Sequence, residues 1–273
     1  MDQACLDRSF MRLEAETLAD QIARGEIRAI ARVMSLIENR DPVGTAVLAQ
    51  LTPSRTQASV IGITGYPGTG KSTLIDQLIT AYRRLGQKVG VLAVDISSPI
   101  TGGAILGDRI RMQQHANDPM VFIRSMATRG HQGGLAGTTG EALRVLKAAA
   151  YDVMLIETVG VGQNELEIVQ IAPIVVAVVA PGLGDEIQAM KAGLLEVADI
   201  VVMNKADHDG ADRTMRDLRE QCRTVLRTVA HTGEGISELI AVIAEYRRVQ
   251  DLNGPRWGKP AERPMHPGAT SGS

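Results

Sequence analysis

The stretch Gly65-Tyr66-Pro67-Gly68-Thr69-Gly70-Lys71-Ser72 holds the residues of this 273-residue chain best suited to chemistry. It fits G-x-x-x-x-G-K-[ST], a loop built to cradle phosphate. Its glycines let backbone N–H groups turn inward around anionic oxygens. A helix starting at the loop adds partial positive charge. Lys71 is placed to reach the β- and γ-phosphates, and the Ser72 hydroxyl to ligate Mg²⁺. The apolar run Val60 to Thr64 reads as a buried strand, and Thr73 to Ile79 has helical spacing. That strand–loop–helix setting is the one the motif requires.

The choice of nucleotide rests on a second motif. Asp199 to Met203 reads as a strand and ends in Asn204-Lys205-Ala206-Asp207, an N-K-x-D pattern. A carboxylate at Asp207 can accept from both the N1–H and the 2-amino group of guanine. Adenine offers no such donor pair and would leave the carboxylate unpaired. Asn204 and Lys205 are expected to brace this loop and cover the base. Alone the pattern fits a surface turn equally well. Downstream of a phosphate loop it favours GTP over ATP.

Acidic residues at strand ends supply candidate metal ligands. Asp95 closes the strand from Lys88, and Glu157 closes the one from Asp152. In a doubly wound sheet such termini converge on the phosphate side. Hard carboxylate oxygens there suit Mg²⁺. Asp108 opens the next helical pattern and reads equally as a ligand or as a helix cap.

The elements that must position these groups follow from patterning. Buried strand-like runs at 60–64, 88–95, 121–124, 152–157, 174–179 and 199–203, with a weaker one at 225–229, alternate with helical patterns, including Gly140 to Ala149 and Ile236 to Val249. Such alternation predicts an α/β fold with a doubly wound, mostly parallel sheet. A core of Val, Ile, Leu, Met and Ala with few aromatics suits a sheet covered on both faces. Two amphipathic helices are expected between Leu6 and Arg40, one presenting Leu13, Leu18 and Ile22, the other Ile27, Ile30, Val33, Leu36 and Ile37. The expected organisation is an N-terminal helical extension at 1–50, a nucleotide-binding domain at 51–250, and a flexible Pro-, Gly- and Ser-rich tail at 251–273, containing Trp257.

Composition excludes several classes. With 29 basic and 31 acidic residues, the charge makes no case for nucleic acid. Cys5 and Cys222 fit neither a metal spacing nor a disulfide framework, which points to reduced thiols in the cytoplasm. No apolar run approaches a membrane span, and the acidic N-terminus is unlike a secretory signal.

Taken together, the motifs resemble the MeaB/ArgK/MMAA GTPases. The resemblance is carried by Gly65–Ser72, by Asp95 with Ser97-Ser98-Pro99 and Thr101-Gly102-Gly103, and by Leu106-Gly107-Asp108. It extends through Arg129-Gly130, Gly133-Gly134, Glu157-Thr158-Val159-Gly160-Val161-Gly162-Gln163, Pro181-Gly182 to Glu186, Asn204–Asp207 and Thr232 to Ile236. About residues 18 to 245 are covered. The resemblance implies a P-loop GTPase acting as a metallochaperone for adenosylcobalamin-dependent acyl-CoA mutases, gating cofactor loading and guarding against inactivated cofactor. The cobalamin would be held by the partner mutase. A cobalamin adenosyltransferase is a further partner the resemblance admits.

Carried over residue by residue, it implies phosphate contacts from Gly65, Pro67, Gly68, Thr69, Gly70, Lys71, Ser72 and Thr73. Mg²⁺ would be organised by Ser72, Asp95, Asp108 and, through water, Glu157. Guanine would be read by Asn204, Lys205 and Asp207, with the backbone near Ala230 closing over the base. Residues 95–112 and 157–166 would be the first and second switches. The Pro181–Lys191 loop would be the switch facing the mutase.

The chain departs from the family in three places. Val229-Ala230 stands where Ser-Ala is usual, which predicts the loss of a side-chain brace. The stretch between Asp207 and Val229 is short, with one clear helix. Typical members also continue beyond the equivalent of Val249 into a helical extension that pairs subunits, so a monomer or weak dimer is expected here.

Hydrolysis in such a site is mostly positioning and electrostatics. Val161 stands where many small GTPases have a catalytic Gln, which predicts slow intrinsic turnover raised by a partner. Lys71, with Asp108 or Gln163 to position water, is the expected catalytic set. Arg109, Arg111 and Arg129 either approach the developing charge or form a solvated surface. Two other classes fit a P-loop: a GTPase delivering another metal cofactor, such as nickel, and a kinase. The first would need a Cys/His cluster and the second an acceptor pocket and lid; the sequence offers neither.

Overall fold

The fold is a seven-stranded sheet with helices on both faces, seen in a computed structural model that describes residues 3–52, 57–95, 113–115, 117–127, 134–159, 168–182 and 194–253. Three helices lead in: α1 (Gln3–Ala23), α2 (Ile27–Glu38) and α3 (Pro42–Gln50). Then come β1 (Ser59–Thr64), α4 (Lys71–Arg84), β2 (Val89–Asp95), β3 (Val121–Ala127), α5 (Gly134–Ala148), β4 (Val153–Val159) and β5 (Ile174–Val179). The chain closes with α6 (Leu194–Val197), β6 (Ile200–Met203), α7 (Ala211–Arg219), β7 (Val225–Arg227) and α8 (Ile236–Asn253). Strand order is β3-β2-β4-β1-β5-β6-β7, and every strand pair is parallel.

Strand alternation sorts the core. Ile61, Ile63, Leu155, Ile174, Val176 and Val178 face α4 and α8. Val60, Met154, Ile156 and Val175 face the other way, onto α5 and the N-terminal helices. Farther along that second face, Ala177, Val179, Val201 and Met203 pack on α7. Strands buried on both faces read as continuous apolar runs, which is why their positions were legible.

The N-terminal helices share a hydrophobic cluster with the sheet. Ile22, Ile30, Val33, Met34 and Val47 are buried together with Phe122, Leu146 and Tyr151. Arg124 on β3 donates to the Ala31 carbonyl (3.1 Å) and the Ser35 hydroxyl (3.1 Å) and pairs with Glu38. Two readings of these helices need correction. Leu13 and Ile27 are exposed rather than core-facing, since Leu13 lies on the open side of α1 and Ile27 begins α2 before it meets its neighbours. A third helix, α3, follows the two expected ones, started by Pro42 and capped by the Asp41 carboxylate, which accepts from the Val43 N–H at 2.8 Å.

The connection from β2 to β3 ends against α4. His115 Nε2 lies 3.1 Å from Asp76 Oδ1, and Gln114 Nε2 donates to Asp76 Oδ2 at 2.5 Å. Lower on the helix, Arg83 Nε donates to Asp118 at 2.8 Å. That hydrogen bond is the main reason the Asp118 carboxyl sits below the usual carboxylate range. Helix α8 runs to Asn253, past the expected start of the tail, and Trp257 lies outside the described residues. Among the described residues no helix is long and apolar enough to cross a membrane.

Candidate functional site

Gly65 to Gly70 connect β1 to α4 at the carboxyl edge of the sheet. Two glycines there are sterically required. Gly65 has φ +140°, and a Cβ on it would lie 2.2 Å from the Val178 carbonyl oxygen. Gly70 caps α4 at φ +91°, where a Cβ would meet the Asn204 amide at 2.4 Å. No side chain caps α4, so its first-turn N–H groups point into the loop. Pro67, Gly68 and Thr73 are exposed along the same loop and first turn, while Thr69 is buried and its hydroxyl donates to the Tyr66 carbonyl at 2.9 Å. The result is a concave array of backbone donors suited to an anion.

Lys71 is buried, and its ammonium donates to the carbonyls of Gly65 (2.6 Å) and Tyr66 (3.2 Å). These contacts fold the side chain back over the loop. Ser72 lies one residue on, and its hydroxyl donates to Glu157 Oε1 at 2.9 Å. Ser72 and Glu157 are both buried, and they join α4 to the end of β4 across 85 positions of sequence. Asp95 closes β2, two residues beyond Ala93, the partner of Glu157 in register. An alcohol beside a buried carboxylate at a phosphate loop is a donor set that fits Mg²⁺.

The N-K-x-D segment begins where β6 ends. Asn204 is buried and spans two loops: its amide Nδ2 donates to the Thr69 carbonyl at 2.9 Å, while Oδ1 accepts from the Thr228 hydroxyl and the Ala230 N–H, each at 3.0 Å. One side chain therefore locks the phosphate loop to the 228–230 turn. Lys205 follows at φ +55°, a conformation in which the chain turns sharply. Asp207 is exposed, with His208 Nε2 at 4.0 Å.

Thr228 was missed in the sequence. The expectation that Val229 leaves the loop without a side-chain brace is corrected, because Thr228, one residue earlier and wholly buried, supplies the hydroxyl. The signal was a polar residue closing the short β7 run; its bond to Asn204, 24 positions away, is tertiary.

Thus the structure brings Gly65 to Thr73 together with Glu157, and Asn204 together with Ala230. Asp108, Gln163, Arg109, Arg111 and Arg129 lie outside the described residues, as do most of the 95–112, 157–166 and 181–191 segments. Of the last, Pro181 and Gly182 are described, Gly182 at φ +84°.

Asn204→Ala removes three hydrogen bonds of this clip and leaves the buried Thr228 hydroxyl bare. At about 1 kcal/mol per bond, the expected loss is roughly 3 kcal/mol of unfolding free energy. Urea titration measures it, and Thr228→Val should cost less.

Comparison with known proteins supports this geometry. The family model for the methylmalonyl Co-A mutase-associated GTPase MeaB matches residues 30–266. A Pyrococcus horikoshii protein described as a GTPase is 47% identical over 252 residues, covering 88% of this chain and 80% of that one. The Escherichia coli GTPase ArgK is 42% identical over 220 residues, 77% of this chain and 66% of its own. The mouse methylmalonic aciduria type A homolog, a mitochondrial protein, is 38% identical over 208 residues, 71% of this chain and 50% of the mouse protein. Among solved structures, a LAO/AO transport system kinase superposes with TM-score 0.69 at 27% identity, over 93% of this chain and 78% of that one. HypB from Helicobacter pylori, in complex with nickel, superposes with TM-score 0.52 at 16% identity, over 81% of this chain and 96% of that one; this likeness is one of fold.

Proposed function

Since the chain belongs to the methylmalonyl-CoA mutase-associated GTPase family, and is a GTPase, we propose that it uses GTP hydrolysis to gate the loading, protection or repair of adenosylcobalamin on an acyl-CoA mutase. The observation that carries the nucleotide chemistry is the buried Ser72–Glu157 contact beside Lys71, clipped by Asn204 to the guanine-reading segment. The partner reading is supported by the name of the family model.

In this reading Gly65, Pro67, Gly68, Thr69, Gly70 and Thr73 line the phosphates. Lys71 exchanges its loop carbonyls for the β- and γ-phosphate oxygens. Ser72, Asp95, Asp108 and, through water, Glu157 would hold Mg²⁺, which would supply positive charge at the transferring phosphoryl group. Asp207 pairs with guanine, Lys205 covers the base, and the Ala230 backbone, fixed by Asn204, closes the pocket. Asp108 or Gln163 orients water, and intrinsic turnover is slow. The cobalamin stays on the mutase, and the setting is cytoplasmic. The helices of residues 1–50 brace the sheet edge, and the Pro181–Lys191 loop meets the mutase.

The test is a pull-down of an acyl-CoA mutase by the full chain, loaded with GDP or with a non-hydrolysable GTP analogue. Retention that differs between the two states is expected, because nucleotide and partner must bias each other reciprocally. Equal retention, or none, contradicts the gating role.

A further inference from the structure

Two buried hydroxyls without a hydrogen-bond partner, Thr64 Oγ1 and Thr158 Oγ1, lie at the carboxyl ends of β1 and β4. Both residues are almost wholly buried, at 0% and 2% exposure. The pairing of β1 with β4 ends at Ile63 opposite Glu157, and Thr64 and Thr158 are the next residue on each strand. Alternation turns both away from the face of Ser72 and Glu157. Across that other face, their outer neighbours in the same row are apolar: Val94 on β2 pairs with Thr158, and Ala177 on β5 pairs with Thr64. Each hydroxyl therefore has the other as its polar neighbour in the row, yet they make no direct bond.

Adjacent strands stand about 4.8 Å apart. A water that makes a bond of about 2.8 Å to each oxygen spans a gap of that order. Buried polar groups are as a rule satisfied by protein or by ordered water, and a water can donate to one hydroxyl while accepting from the other.

We propose that one internal water bridges Thr64 and Thr158 and ties the strand that feeds the phosphate loop to the strand that carries Glu157. Thr64 immediately precedes Gly65, and Thr158 immediately follows Glu157. The bridge thus sets the distance across which Ser72 meets Glu157, so both threonines are positioning residues for hydrolysis. This last step rests on the reading of Glu157 as a Mg²⁺-organising carboxylate; the water itself does not.

The experiment is a double-mutant cycle in the full chain with Thr64→Val, Thr158→Val and their combination, read by urea unfolding and by GTP turnover. Each single variant strands the opposite hydroxyl, so the double variant should be no less stable than the worse single one. Each Val variant should lower kcat about tenfold with KM for GTP little changed, the rate equivalent of one hydrogen-bonded tie. Thr64→Ser and Thr158→Ser, which keep the hydroxyl, should restore the rate. Stability losses that simply add would overturn the bridge, and Val variants with the unaltered kcat would overturn the positioning role. Glu157→Gln separates the two claims: full turnover in that variant would refute the Glu157 reading, while the unfolding cycle would still decide the water.

Discussion

Lys71→Ala abolishes GTP hydrolysis and leaves a folded protein; this is the largest effect expected of any single change. The Lys71 ammonium is held by two loop carbonyls, Gly65 at 2.6 Å and Tyr66 at 3.2 Å, inside a ring of backbone donors. In the proposed function it is the cation that neutralises charge on the transferring phosphoryl group, and phosphoryl transfer depends almost wholly on such positioning and electrostatics. Losing one such preorganised contact costs on the order of 10²–10³ in rate. On an intrinsically slow enzyme that removes measurable turnover. The two carbonyls it leaves, Gly65 and Tyr66, belong to the loop rather than to the apolar clusters of the core. Phosphate release by the purified variant is the measurement. Turnover at the unaltered rate would place the activity at another site.

Asp207→Asn gives the second large effect, on selectivity rather than on rate. The carboxylate is 42% exposed and lies at the turn that Asn204 anchors, open to a base arriving from solvent. In the proposed function it accepts two donors of guanine through charge-assisted bonds. Asparagine keeps the shape but loses the charge and one acceptor, for a cost of roughly 1.5–3 kcal/mol, or about 10- to 150-fold in GDP affinity. Calorimetry with GDP and ADP reads this directly. The unaltered protein should prefer GDP strongly, and the variant should lose most of that preference. Equal affinities in the unaltered protein would contradict the guanine assignment.

Much of this was legible in the sequence, for physical reasons. Gly65 to Ser72 and Asn204 to Asp207 are local motifs whose chemistry sits in adjacent residues. The strands are buried on both faces and so read as apolar runs, as in the fully buried Ile174–Val179. Helix α3 was less visible, because Gly44 and Thr45 are weak helix formers and its signal was the Asp41-Pro42 start. Leu13 and Ile27 mislead because an apolar residue at the right spacing still needs a neighbour to bury it. The Thr228–Asn204 and Ser72–Glu157 bonds join residues far apart in the chain, so no local pattern announces them. Thr64 and Thr158 carry no local signal; only the sheet order brings their strands side by side.

The central claim is that GTP hydrolysis here serves an acyl-CoA mutase, and steady-state GTPase turnover at saturating mutase tests it most directly. The account predicts slow turnover by the protein alone and a severalfold or greater rise with the mutase present. It also predicts no rise with Lys71→Ala. A GTPase rate unchanged by saturating mutase would contradict it.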